Sequence, residues 1–108
     1  MIETKVIHNK DNKIVGIEVS GHANSGPIGL DLVCAGVSCI VTGGINALDD
    51  PGAFDIELTK GYSKIKPTFV NSDIVPHDRI VLEIIATQLK TIFESYPKYI
   101  TVIDTCIE

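Results

Sequence analysis

Positive charge is scarce in this chain: nine Lys and Arg stand against fourteen Asp and Glu in 108 residues, a net charge of −5. The basic residues are scattered. A nucleic-acid backbone calls for a basic patch, and an anionic bilayer surface for a basic amphipathic face. Direct binding to either is therefore not expected. No apolar run approaches the roughly 20 residues that span a bilayer, and the opening "MIETKVIHNK" lacks the apolar core of a secretory leader. Internal repeats, low-complexity tracts and linkers are missing. Only three cysteines occur, Cys34, Cys39 and Cys106. They cannot all pair within one chain, they form no Cys-x-x-Cys, and the five-residue step from Cys34 to Cys39 is not a zinc-knuckle spacing. These absences predict free thiols in a reducing cytoplasm, with no metal and no cofactor.

What is present reads as one domain over residues 1–108, with 44% hydrophobic residues and enough length for a single core. Strands are predicted at 2–8, "IETKVIH", and 14–20, "IVGIEVS", around the turn "NKDNK". Val15, Ile17 and Val19 share one face of the second. In 54–60, "FDIELTK", Phe54, Ile56 and Leu58 alternate inward against Asp55, Glu57 and Thr59. Gly61 turns the chain into 62–69, where Pro67 marks an edge strand or a strand end. Residues 99–105, "YITVIDT", form the last strand.

Two helices separate these strands. Over 78–95, Leu82, Ile85, Leu89 and Ile92 make an apolar stripe that Ile84 and Phe93 widen, while Glu83, Thr87, Lys90 and Glu94 line the wet face. Asp78 is the expected N-cap and Pro97 lies beyond the end. The other helix, about 32–48, places Val33, Val37, Ile40 and Leu48 toward the sheet. Its Gly36, Gly43 and Gly44 each cost a helix about 1 kcal/mol relative to alanine, which implies close backbone approach to the sheet or to a second subunit. The expected architecture is a two-layer α+β domain, order ββαββαβ, with a mainly antiparallel sheet packed by two helices.

The stretch "GHANSGPIGLDLVC" at 21–34 carries the chemistry. With Asp31 as N-cap, Cys34 falls at the third helical position, where unpaired N–H groups and the positive helix end favour a thiolate. His22, at the end of the second strand, can fold back over it through a loop containing Gly26, Pro27 and Gly29. An imidazole there can activate the thiol and protonate a leaving amine. Blander readings stand beside this one: a free Cys at a helix start is also a small buried hydrophobe, and a His at a strand end a surface polar residue. Asp31 reads as a cap rather than an orienting group, and Ser38 as a helix-packing hydroxyl. His8 and His77 read as surface or cap residues, and Cys39 and Cys106 as packing residues.

Gly21, His22, Ala23, Gly29, Asp31, Val33, Cys34, Ala35 and Ser38, followed by "INAL" at 45–48, resemble the signature of the Prp family of ribosomal-processing cysteine proteases. The specific part of the likeness is confined to 21–48. The resemblance implies a small homodimeric cysteine endopeptidase of bacteria. Its peptide substrate would be the N-terminal extension of a large-subunit ribosomal protein. Cys34 would be the nucleophile and His22 the histidine, with Gly21, Gly29, Asp31 and Ser38 in support. The alternatives are a non-enzymatic, ribosome-associated binding module and a thiol sensor of the same fold.

Overall fold

The computed structural model describes residues 1–21, 28–69 and 73–107, and for 28–31 the backbone alone. The elements run β1 (Ile2–His8), β2 (Ile14–Ser20), α1 (Ile28–Asn46), β3 (Phe54–Thr59), β4 (Tyr62–Pro67), α2 (Pro76–Ser95) and β5 (Ile100–Cys106), with a 3-10 turn at Pro51–Ala53 ahead of β3. One sheet has the order β3-β4-β2-β1-β5. The β3–β4, β4–β2 and β2–β1 pairings are antiparallel and β1–β5 is parallel. The expected ββαββαβ order and mainly antiparallel sheet are thus present.

Strand register decides which sheet face meets the helices. Val6 pairs with Ile17, and Ile17 with Ile65, while Ile2 pairs with Ile100. Those four isoleucines and one valine are at most 3% exposed. Because side chains alternate along a strand, the opposite face carries Lys5, Glu18, Lys64 and Lys66. Leu82, Ile85, Ala86 and Leu89 of α2, and Val33, Val37 and Val41 of α1, close the core from above. Val41 completes a four-residue step that the sequence stripe passed over. Leu48 is buried although it lies past the end of the helix.

Several expectations need correction. Ile84 is 51% exposed and does not widen the buried stripe of α2. On β3 only Phe54 is buried: Ile56 is half-buried and Leu58 exposed, because β3 is the sheet's edge and has no strand on its far side. Pro67 ends β4, which is an interior strand, so of its two readings the strand end holds.

The two aspartates read as N-caps lie inside their helices. α1 starts at Ile28, which makes Asp31 its fourth residue. In the sequence Pro27 precedes that start, and a proline is well tolerated at a helix entry because its missing N–H costs nothing there. α2 repeats the pattern. Val75 occupies its N-cap, Pro76 its first position and Asp78 its third. The Asp78 carboxylate is fully buried and reaches away from its own helix, accepting the Asp49 N–H at 2.7 Å and the Asp50 N–H at 2.8 Å. Burial pushes its pKa up, but those two amides and the neighbouring His77 outweigh burial and hold it below the usual carboxylate range. Asp78 thereby pins the chain leaving α1 to the start of α2.

The glycines of α1 divide by environment. A Cβ on Gly44 would land on Ile85 of α2, with the Ile85 Cγ1 at 2.5 Å, and one on Gly36 would sit 3.3 Å from Ile92 Cδ1. For Gly36 and Gly44 the close approach is therefore to α2 rather than to the sheet. A Cβ on Gly43 meets nothing within 4 Å. Chemical denaturation should accordingly give opposite signs at adjacent positions. Gly43→Ala is expected to gain up to about 1 kcal/mol from helix propensity. Gly44→Ala should lose about 1 kcal/mol or more, because overpacking against Ile85 exceeds that gain. Equal effects at the two sites would contradict this helix contact.

Candidate active site

The rotation of α1 about its axis is set by Val33, Val37 and Val41, which are 2%, 5% and 2% exposed. Cys34 follows Val33 by one residue, or ~100° of rotation, which brings it to the edge of the buried stripe and leaves it half-buried. Ser38 lies one turn further on the same side and is exposed. Both face a cleft of about 350 Å³. Its floor is apolar, from Ile2, Val19 and Val37, and its far wall is the β3–β4 turn, Thr59 to Ser63, with Gly21 at one corner. Ser38 is thus a cleft residue rather than a packing hydroxyl. Ile2, Val19 and the 59–63 wall are cleft residues that local reading missed, since they come from four strands, β1 to β4. The one local signal was Gly61, whose φ of 84° makes the turn.

One backbone bond ties the end of β2 to that wall. The Gly21 N–H donates to the Gly61 carbonyl at 3.0 Å. Gly21 has a φ of 93°, and a Cβ there would strike the Met1 carbonyl oxygen, so no other residue fits this corner. Across the turn, the Thr59 hydroxyl donates to the Tyr62 carbonyl at 3.2 Å, and the Tyr62 hydroxyl donates to Glu18 Oε2 at 2.6 Å. That last bond lowers the Glu18 pKa and pushes the Tyr62 pKa up to about 12.

His22 and the rest of 22–27 lie outside the described residues, as does the side chain of Asp31. Gly29 is the second residue of α1. The helix start differs from the sequence expectation in a way that matters for Cys34. In a helix that begins at Ile28, Cys34 is the seventh residue. Its N–H is directed to the carbonyl four residues back, and the terminal field of the helix has faded by the second turn. Reactivity of Cys34 cannot be ascribed to the helix end.

The remaining cysteines and histidines sit elsewhere. Cys39 and Cys106 are exposed free thiols, not the packing residues expected. His77 lies 2.8 Å from Asp78 Oδ1 and 3.3 Å from Asp49 Oδ2, and the Asp78 contact raises its pKa. Among the described residues these three side chains are close enough to share a metal ion. However, both Asp78 oxygens already accept backbone amides, so the group reads as a structural pin. His8 Nε2 lies 2.8 Å from Asp104 Oδ1, a contact that lowers the Asp104 pKa. No helix among the described residues is long and apolar enough to cross a membrane.

Comparison with known proteins converges on one family. A family described as cysteine protease Prp matches residues 1–101. The ribosomal processing cysteine protease Prp of Bacillus subtilis strain 168 is 32% identical over 101 residues, covering 89% of this chain and 90% of its own length. The crystal structure of the essential ribosomal processing protease Prp from Staphylococcus aureus in complex with a substrate peptide superposes with a TM-score of 0.78 at 28% identity, over 96% of this chain and 99% of that one. A crystal structure from Streptococcus mutans gives a TM-score of 0.81 at 26% identity, over 99% and 96%.

Of the three thiols, only Cys34 borders the cleft, so a ligand seated there covers it alone. Limited alkylation with peptide mass mapping should show Cys34 protected by a bound peptide, with Cys39 and Cys106 labelled at unchanged rates. Equal protection of all three, or none of Cys34, would place the peptide elsewhere.

Proposed function

Because the chain belongs to the cysteine protease Prp family, we propose that it is a cysteine endopeptidase of the bacterial cytoplasm that removes a short N-terminal extension from a large-subunit ribosomal protein. The observation that carries this reading is Cys34, half-buried at the margin of α1, bordering a cleft with an apolar floor and a hydroxyl-rich wall. That cleft suits an extended peptide whose scissile carbonyl comes over the sulfur.

In the proposed reaction the Cys34 thiolate attacks the carbonyl carbon, and the carbonyl π electrons move onto oxygen. As the tetrahedral intermediate collapses, the C–N bond breaks and protonated His22 gives its proton to the departing amine. The thioester left on Cys34 is attacked by water, which loses a proton to His22. The acid product leaves and the Cys34–His22 pair is restored. With the Cys34 amide engaged inside α1, that N–H is not the oxyanion donor. Activation of the thiol then rests on His22, which follows Gly21 in sequence. The fastening of Gly21 to Gly61 at the cleft corner supports this reading, since it starts the His22 segment beside the wall that Cys34 faces.

The test is cleavage of a synthetic peptide spanning that extension, taken from the same genome. Cys34→Ala is expected to abolish cleavage and His22→Ala to remove most of it, while Cys39→Ala and Cys106→Ala retain it. Cleavage by the Cys34→Ala protein would sink the assignment.

Assembly is the second part of the proposal. The likeness to the family implies a homodimer, and the helical layer offers a matching surface. Ile80 and Ile84 are 55% and 51% exposed. Ile84 lines a groove of about 220 Å³ with Ile40, Ala47, Val81 and the open Gly43. Light scattering at micromolar concentration should give about twice the 11.7 kDa chain mass, and Ile84→Asp should shift it toward the single chain. A monomer in the unmodified protein would count against the dimer and leave catalysis untouched.

A further inference from the structure

Resting on the reading of Cys34 as nucleophile, we propose that Tyr62 is a positioning residue. Its hydroxyl bond to Glu18 holds the β3–β4 turn as the fixed wall against which the substrate peptide is aligned.

The wall is built from a hairpin turn at the end of the sheet, and such turns are ordinarily the loosest part of a strand pair. Here it has three restraints. Two are ordinary: the Thr59 hydroxyl on the Tyr62 carbonyl, and the Gly21 amide on the Gly61 carbonyl. The third is the bond from Tyr62 to Glu18 at 2.6 Å, which runs from β4 to the neighbouring strand β2 and ends on an ionised group. Charge-assisted bonds of this length are about twice as strong as neutral ones.

Glu18 is itself held. Its side chain is 18% exposed, with Lys66 Nζ at 3.3 Å and Lys5 Nζ at 3.9 Å, while the nearby Lys64 is occupied by Asp55 at 2.8 Å. Register places Glu18 with Lys64 on the outer face of the sheet, opposite the face that α1 covers. The network therefore touches no reacting atom. Its chemistry reaches the site only through Tyr62, the residue that opens β4 and borders the cleft. A peptide laid over Cys34 presses on this wall. If the wall yields, binding free energy is spent on ordering it, and the peptide is held more weakly in the cleft.

The test compares Tyr62→Phe, Glu18→Ala, Glu18→Gln and the Tyr62→Phe/Glu18→Ala pair by steady-state kinetics, with circular dichroism confirming each fold. The probe is the synthetic extension peptide named above. Tyr62→Phe and Glu18→Ala should each raise KM about five-fold with kcat held within about two-fold, less than the full worth of a charge-assisted hydrogen bond because the bond acts on the peptide only through the wall. The double variant should be no worse than either single one, because both remove the same bond. Glu18→Gln should fall between the unmodified protein and Glu18→Ala, since its amide oxygen still accepts from Tyr62 but without the charge. An unchanged KM in Tyr62→Phe, additive effects in the double variant, or equal damage from Glu18→Gln and Glu18→Ala would each overturn the proposal. Peptide affinity measured in the Cys34→Ala background separates this from the protease reading. If the unmodified protein cleaves nothing, that reading fails. The wall assignment then stands on a five-fold weaker affinity in Tyr62→Phe, and falls if affinity is equal or if no peptide binds.

Discussion

The pressing of Val33, Val37 and Val41 onto the sheet is the contact on which the rest depends. Three valines at four-residue steps leave α1 one rotation in which all are buried. Gly44 fixes its distance from α2, because only a residue without a side chain lets Ile85 come this close. With rotation and distance set, the neighbours of the valines have no freedom of direction. Cys34 must stand at the margin of the core and Ser38 a turn beyond it, both over the ends of β2 and β4. The site is thus a by-product of core packing: the side chains that stabilise the fold also aim the thiol.

The cleft gains its second half from the sheet. Antiparallel pairing of β4 with both β2 and β3 brings the 59–63 turn beside the end of β2. The Gly21 to Gly61 bond closes that corner. On the opposite face, which no helix among the described residues covers, strands β1, β2 and β4 carry an array of Lys5, Glu18, Lys64 and Lys66. One face of the sheet supplies the floor of the cleft, and the other supplies the charges that stiffen its wall through Tyr62.

Much of this was legible in the sequence because most of the elements obey simple periods. The shared face of Val15, Ile17 and Val19 and the three- and four-residue steps of Leu82, Ile85 and Leu89 predicted burial that the structure shows. The failures are equally physical. Asp31 and Asp78 were both read as N-caps, since aspartate before an apolar run is the common signal. Both helices instead begin earlier, next to a proline, and Asp78 spends its carboxylate on amides 28 and 29 residues away. No local pattern announces a partner so distant. The edge position of β3 exposed Leu58 against its alternation, because alternation says which face a residue takes but not whether anything covers that face. The pairing of His22 with Cys34, which we propose, was suggested in the sequence by the flanking residues. The wall at 59–63 was not, since it belongs to the site only by tertiary contact.

The central claim is that Cys34 is the nucleophile, and acyl-enzyme trapping tests it most directly. The protein is mixed with the extension peptide, quenched in acid within the first turnovers, and analysed by intact mass and peptide mapping. The account predicts a mass gain equal to the N-terminal fragment less one water, borne on Cys34. A fragment attached to Cys39 or Cys106 would contradict it, and so would steady cleavage with no thioester on Cys34 at any quench time.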